Sequence, residues 1–212
     1  MNVSQTTIDR YTQADPDVRL MLRVAADDAH AFEELMRRYQ NRLVAVLAHL
    51  VGRRDMAEDL AQDVFLRVYR ARKRYVPASK FSTWLFTIAN NVASNALRGL
   101  ARRKEVNVTA ASPDASGANR MEQTALAASG LMPTRQLDKS EMAEVVRLAI
   151  ETLNERQRMA VLLAKFEQLS YAEIGEIMEM TPQAIKSLLS RARANLREVL
   201  EPYLEHGEAL KV

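Results

Sequence analysis

A chain of 212 residues suffices for one ordinary domain or two small ones, and its 48% hydrophobic content supports a packed core. Six glycines, six prolines and 6% aromatics argue against a turn-rich β protein, and the lack of cysteine excludes disulfides, thiolate metal sites and a cysteine nucleophile. The net charge is only +3, but "DMAEDLAQD" holds Asp55, Glu58, Asp59 and Asp63, and from Val64 to Lys104 no acid interrupts ten basic residues. That segregation predicts two partners, one basic or polar and one polyanionic.

The N-terminus, "MNVSQTTIDRYTQADPDV", has neither the basic nor the apolar segment of a signal peptide. No apolar run approaches the roughly 18 residues of a membrane span. The expectation is a cytoplasmic protein without membrane insertion, with residues 1–28 as an N-terminal extension. From Ala29 to Val51, Phe32, Leu35, Met36, Tyr39, Leu43, Val46, Leu47 and Leu50 recur at three- and four-residue steps, which predicts an amphipathic helix with Gly52 as its C-cap.

A second helix is expected from about Met56 to Arg74, with Leu60, Val64, Val68 and Arg72 on one stripe and Ala61, Phe65 and Leu66 beside it; Pro77 stops it. A third begins near Ser82, an N-cap candidate, and carries Trp84, Leu85, Ile88, Val92, Asn95 and Leu100 toward Arg103. Residues 29–104 form one block. Over 105–140 the periodicity dissolves into Ser, Ala, Asp, Gly and Pro, which reads as a flexible linker with one short helical turn near Met121 to Ala128. Periodicity returns from Glu141 with Val145, Leu148, Ala149, Thr152 and Leu153, then Gln157, Ala160, Val161, Leu163 and Ala164. Residues 141–204 are the second block and 205–212 a tail. The fold class is all-α: two small helical domains joined by a linker.

The second block contains "SYAEIGEIMEMTPQAIKSLLSRARANL", residues 170–196. A helix runs from Tyr171 to Met178 with Ala172, Ile174 or Gly175, Ile177 and Met178 inward, and Gly175 allows close crossing. A new helix follows, with Thr181 as N-cap and Pro182 at its first position. On that helix Ile185, Leu188, Leu189, Ala192 and Leu196 share one face, and Gln183, Ser187, Ser190 and Ala194 lie opposite. Lys186, Arg193 and Arg197 flank the polar face on one side and Arg191 on the other. Two short helices joined by a tight turn, the second basic, make a helix-turn-helix: small and polar residues reach base edges while cations hold phosphates.

Catalysis finds little support. His30, His49 and His206 form no metal-ligand pattern, no glycine-rich phosphate loop or nucleophile elbow occurs, and Glu58, Asp59 and Asp63 do not complete a di-metal site. No catalytic residue, metal or cofactor is expected. A regulator that binds duplex DNA alone, and a purely protein-binding helical adaptor, are the competing readings; the first block is what an ordinary helix-turn-helix regulator does not need.

The chain resembles bacterial RNA polymerase sigma factors of the extracytoplasmic-function group. The resemblance rests on "AFEELMRRYQNRL", "AEDLAQDVFLRVYRA", "FSTWLFTIANNVASNALR", "LNERQRMAVLLAKFEQLSYAEIG" and "AIKSLLSRARANLR", in that order and spacing. It implies that the first block is a sigma-2-like domain and the second a sigma-4-like helix-turn-helix domain, and that the function is promoter-specific transcription initiation. Glu58, Asp59, Gln62, Asp63 and Phe65 then match the surface that docks on the clamp helices of core RNA polymerase. Asn91 matches the pocket for a flipped base of the minus-ten element of promoter DNA, with Asn95 one turn on, and Lys80, Arg98, Arg102 and Arg103 are candidates for phosphate contact. Gln183, Lys186, Ser187, Ser190, Arg191 and Arg193 would read the minus-thirty-five element. Trp84, amid Phe81, Leu85, Phe86 and Ile88, reads as core rather than as a stacking wedge. The resemblance also implies an anti-sigma factor as partner. Many members carry arginine where this chain has Asn90 and Leu188, and an acid where it has Asn95.

Overall fold

The computed structural model describes residues 4–110 and 139–204, with only the backbone course given for 103–110, 139–140, 202 and 204. Among the described residues there is no strand. The all-α expectation holds, and the helices begin earlier than the periodicity suggested.

Two helices lie within the expected extension: α1 (Gln5–Ala14) and α2 (Pro16–Ala25). Ser4 caps the first and Asp15 the second, accepting from the Asp17 N–H at 2.9 Å ahead of the first-position proline. α2 is part of the core, since Val18, Met21 and Val24 are fully buried. Three apolar residues at three-residue steps in a ten-residue helix give a short periodic signal, so it was easily passed over.

The long α3 (Ala29–Val51) is the axis of the first block, packed against α2, α4 (Arg54–Ala71) and α5 (Phe81–Ala110). Asp28 caps its start, and Gly52 ends it at φ 73° with its N–H on the Ala48 carbonyl at 2.9 Å. That left-handed conformation carries no side-chain penalty at glycine. A 3-10 turn over Arg72–Arg74 follows α4, and Pro77 stands buried beyond it. Ser82 is not the cap of α5. Phe81 is already helical, and its N–H is taken at 2.9 Å by the Asp15 carboxylate, a residue distant in sequence. α5 also reaches six residues past Lys104 into the expected linker, because neither glycine nor proline occurs between Leu100 and Ser112 to halt it. The turn expected near Met121 to Ala128 lies outside the described residues.

The second block contains α6 (Lys139–Thr152), α7 (Glu155–Lys165), α8 (Tyr171–Met178) and α9 (Pro182–Leu204). Capping boxes start α7 (Asn154 with Gln157) and α8 (Ser170 with Glu173). Thr181 caps α9, accepting from the Ala184 N–H at 3.2 Å. Between α8 and α9, a Cβ on Gly175 would stand 2.5 Å from the Met180 carbonyl oxygen, so this glycine lets the turn close on its own helix. Ala172, expected inward, is exposed, while Ile174, Gly175 and Ile177 are buried.

The two blocks are not separate bodies here. α7 packs on α3 and α8 on α5, and one continuous cluster of buried side chains runs from Val18 through Leu47 and Phe86 to Leu162, Ile177 and Ile185.

Candidate protein and nucleic-acid interfaces

Three surfaces carry the residues singled out in the sequence. The first is a groove of about 1010 Å³ between α3 and α4. Phe65 is buried in its floor, edge-on to Phe32 at 6.4 Å, and Tyr69 tilts against Phe32 at 5.2 Å. Glu58 and Gln62 stand on its wall with Leu66, which is 52% exposed. A large aliphatic side chain so exposed beside an open apolar groove makes this a candidate docking surface. Asp59 and Asp63 do not line it; Asp59 is exposed beside it and Asp63 pairs with Arg67 at 3.0 Å. The α3 wall, with Phe32 and Met36, was missed because those residues read as core in an amphipathic pattern.

The second surface is the outward side of α5. Asn91, Asn95, Arg98 and Arg102 are spaced four, three and four residues apart, which places them on one face, and all are exposed. The Arg98 guanidinium donates to Asn95 Oδ1 at 2.8 Å and to the Ser94 carbonyl at 3.2 Å, so one amide and one cation are already linked. The Arg103 side chain lies outside the described residues. Trp84 is half-buried against Tyr75 and Phe81, with ring centroids at 4.8 and 6.0 Å, as the core reading expected. Of the other bases in the acid-free stretch, Arg72 and Lys73 are held by Asp27 and stitch α2 to the 3-10 turn.

The third surface is α9. Ile185, Leu188, Leu189 and Ala192 are buried beneath it, and Gln183, Lys186, Ser187, Ser190, Arg191 and Arg193 are all exposed on the outside. Leu188 is 8% exposed and belongs to the core. It therefore removes no cation from the outer face. Arg193 accompanies the Tyr171 hydroxyl at 3.3 Å, tying the second helix to the start of the first.

A fourth set of contacts was not legible in the sequence: polar groups bridge the two blocks. Glu173 Oε1 lies 2.8 Å from Lys80 Nζ while the same carboxylate closes the Ser170 capping box. Burial opposes the Glu173 charge, but Lys80 and the Ser170 donors outweigh it and hold its pKa below the ordinary glutamate value. Glu176, one turn on, is raised by burial and by Glu173. Arg42 meets Glu167, whose side chain is only 2% exposed, and lies over the Tyr39 ring at 4.9 Å. Burial weakens the Arg42 charge, yet Glu167 offsets this and raises its pKa overall. Ser94 Oγ donates to Glu155 at 2.8 Å, and Asn90 Nδ2 donates to the Ile177 carbonyl at 3.3 Å. The Arg158 guanidinium donates to the His49 and Leu50 carbonyls at the end of α3 and to those of Ile150, Glu151 and Leu153. Among the described residues no helix is long and apolar enough to cross a membrane, and no group of histidine and carboxylate side chains could hold a metal ion.

The sigma-70 region 2 family model matches residues 35–103 and the sigma-70 region 4 model residues 143–196. The chain is similar to the RNA polymerase sigma-H factor of Pseudomonas aeruginosa, at 31% identity over 91% of this chain and 98% of that protein. It is also similar to the ECF RNA polymerase sigma-E factor of Haemophilus influenzae, at 33% identity over 89% and 97%. Its fold matches CnrH, solved in complex with the cytosolic domain of CnrY, with a TM-score of 0.63 and 19% identity over 88% of this chain and 98% of that one. It also matches the sigma factor RpoE of Bartonella quintana, solved with the anti-sigma factor NepR, with a TM-score of 0.61 and 24% identity over 80% and 96%.

Proposed function

The chain belongs to the extracytoplasmic-function group of RNA polymerase sigma factors, which direct promoter-specific transcription initiation, and we propose how that work divides over its surfaces. Residues 29–104 dock on core polymerase and take up the minus-ten element; residues 141–204 read the minus-thirty-five element in duplex form. The linker over 105–140 joins the two. Two weak contacts on one chain gain affinity and selectivity by effective concentration rather than by a larger interface.

Glu58, Gln62 and Phe65 supply the docking surface with the groove beside them, and Asp59 and Asp63 set its acidic border. A cationic partner surface with an apolar ridge is the complement of such a groove. Asn91 and Asn95 then hold an unstacked base of the melted strand by its polar edge, while Lys80, Arg98, Arg102 and Arg103 bind its phosphates. Unstacking costs a few kcal/mol, which docking on the polymerase offsets. Gln183, Lys186, Ser187, Ser190, Arg191 and Arg193 enter the major groove. The synthesis of RNA belongs to the polymerase; no catalytic step falls to this chain. Since a sigma factor of the same fold is solved with an anti-sigma factor, an inhibitor of that kind is proposed as a further partner, and the cytoplasm as the place of action.

The observation that carries the assignment is the outer face of α9, where six polar or cationic side chains stand exposed above a buried apolar row. The test is transcription in vitro with sigma-free core polymerase and a randomised promoter library. The chain is expected to select transcripts whose promoters share two spaced elements. Lys186→Ala with Arg191→Ala is expected to abolish selection at the upstream element and leave binding to core polymerase within about twofold; loss of both together overturns the division of labour.

A further inference from the structure

Beside α5 lies a cleft of about 420 Å³, within the roughly 300–1,000 Å³ usual for a small-molecule site. Unlike the groove between α3 and α4, it is lined mainly by polar groups. Asn91 and Arg98 belong to the face of α5 already described; Glu155, Arg156 and Glu179, with Met159 and Met178, belong to no surface assigned so far. The charges of the lining balance, two arginines against two glutamates.

Several of these groups have bonding capacity to spare. Among the described residues, the side chains of Asn91, Arg156 and Glu179 make no hydrogen bond or ion pair. Arg98 spends Nε on the Ser94 carbonyl and Nη2 on Asn95, which leaves Nη1. Glu155 differs, because it accepts from Ser94 Oγ at 2.8 Å and its charge acts on Arg158. The uncommitted groups are thus two guanidinium forks, one amide and the Glu179 carboxylate. Helix ends reinforce the contrast. Arg156 stands in the first turn of α7, whose positive end favours an anion, and Glu179 is the C-cap of α8, whose negative end favours N–H donors.

A wall of both signs selects a ligand of both kinds. A bare anion gains from the arginines and loses to the glutamates. A phosphate joined to a group rich in N–H donors satisfies both. The guanine edge presents two adjacent N–H groups that match the two oxygens of one carboxylate, whereas adenine has an acceptor in place of one of them. Met159 and Met178 offer polarizable apolar surface to the face of a purine ring.

We propose that this cleft is a binding site for a guanine nucleotide. Arg98 and Arg156 hold the phosphate, Glu179 takes the N–H edge of the base, and Asn91 supplies a further polar contact. Bidentate capture of phosphate is the use to which a guanidinium fork is best suited. The site gives the chain a small-molecule input besides its protein and DNA partners.

The test is isothermal titration calorimetry of the full chain with guanosine monophosphate in low salt, without polymerase or DNA. Saturable binding at one site is expected, together with a rise in melting temperature as nucleotide is added. Inorganic phosphate and guanosine are each expected to bind at least tenfold more weakly, since each satisfies half of the wall. Arg156→Ala is expected to weaken nucleotide binding at least tenfold through the loss of a charge-assisted contact. Glu179→Gln is expected to weaken guanosine monophosphate about tenfold and to leave adenosine monophosphate unchanged. Both residues are exposed and unpartnered, so the melting temperature of each variant without nucleotide is expected to match that of the parent chain. The absence of both heat and thermal shift overturns the site. Inorganic phosphate or adenosine monophosphate binding as tightly as guanosine monophosphate overturns the guanine assignment. Unchanged affinity in Arg156→Ala places the nucleotide elsewhere on the chain and overturns the proposal as well.

Discussion

Asp15 serves two helices at once. One carboxylate oxygen caps α2 through Asp17 N and the other takes the Phe81 N–H that begins α5, both at 2.9 Å. A helix start leaves donors that only a side chain or water can satisfy, and burial next to Phe81 restricts water. Each cap is worth about 1 kcal/mol, so Asp15→Ala is expected to cost about 2 kcal/mol of unfolding free energy in a urea titration. A change below about 0.5 kcal/mol would show that neither cap contributes. Tyr39 repeats the theme within the first block. Its hydroxyl donates to Asp17 at 2.6 Å, and burial, with Asp17 beside it, pushes its pKa well above the ordinary tyrosine value, so it stays a neutral donor. None of these pairings could be read from the chain, because Asp15 and Phe81, or Asp17 and Tyr39, are brought together only by the packing of the first block. By contrast Gly52, Thr181 and Pro182 were legible, since a cap acts within four residues of itself.

At the scale of elements, what separates the legible from the illegible is whether a face is set by one helix alone. The exposed polar and cationic face of α9 followed from its own periodicity. So did the buried row beneath it, Leu188 included. The groove between α3 and α4 needed both helices, so Phe32, Met36, Leu66 and Tyr69 appear as part of a binding surface only in three dimensions. Leu66 gives the sharpest test there. Because it is 52% exposed, Leu66→Arg is expected to leave the melting temperature within about 2 °C. The same change should weaken binding to core polymerase at least tenfold in a fluorescence-anisotropy titration, since a cation would stand in an apolar contact. Full affinity would place the docking surface elsewhere.

The α3–α7 contact adds a dependence on pH. His49 lies against the Phe166 ring, with centroids 5.8 Å apart, and faces Arg147, Glu151 and Arg158. Burial and then the Arg147 charge lower its pKa, with Glu151 opposing them. When the chain unfolds, the imidazole regains its ordinary affinity for protons, so the unfolded form binds more protons than the folded one. The stability this contact contributes is thus fully present above about pH 6.5 and is progressively lost as pH falls from there toward the lowered value. The melting temperature is expected to fall between pH 7 and 5.5, and His49→Gln is expected to flatten that slope. An unaltered slope in the variant assigns the pH dependence to other groups.

For the molecule as a whole, the linker over residues 105–140 suggests two independent bodies, yet buried side chains of both blocks join in one cluster. Composition, periodicity and turns all describe local chain, and none of them reports that Arg42 will meet Glu167 or that α8 will lie on α5. Regions that share a core unfold together. Calorimetry of the free chain is therefore expected to show one transition in low salt. Arg158→Ala removes the donor shared by the ends of α3 and α6, and is expected to split the trace into two overlapping transitions. A single transition in the variant would mean that apolar contact alone couples the blocks.

Arg158 also limits what its position can accept. Of its five carbonyl partners, Ile150, Glu151 and Leu153 belong to its own block, and His49 and Leu50 to the end of α3. The last carbonyls of a helix have no partner within it, so one cation here serves two helix ends at once. The fixed fork of the guanidinium spreads its donors over both sets, whereas a lysine ammonium is a compact point charge with three donors. The conservative exchange of Arg158 for lysine keeps the charge and still gives up the bridge between the two helix ends.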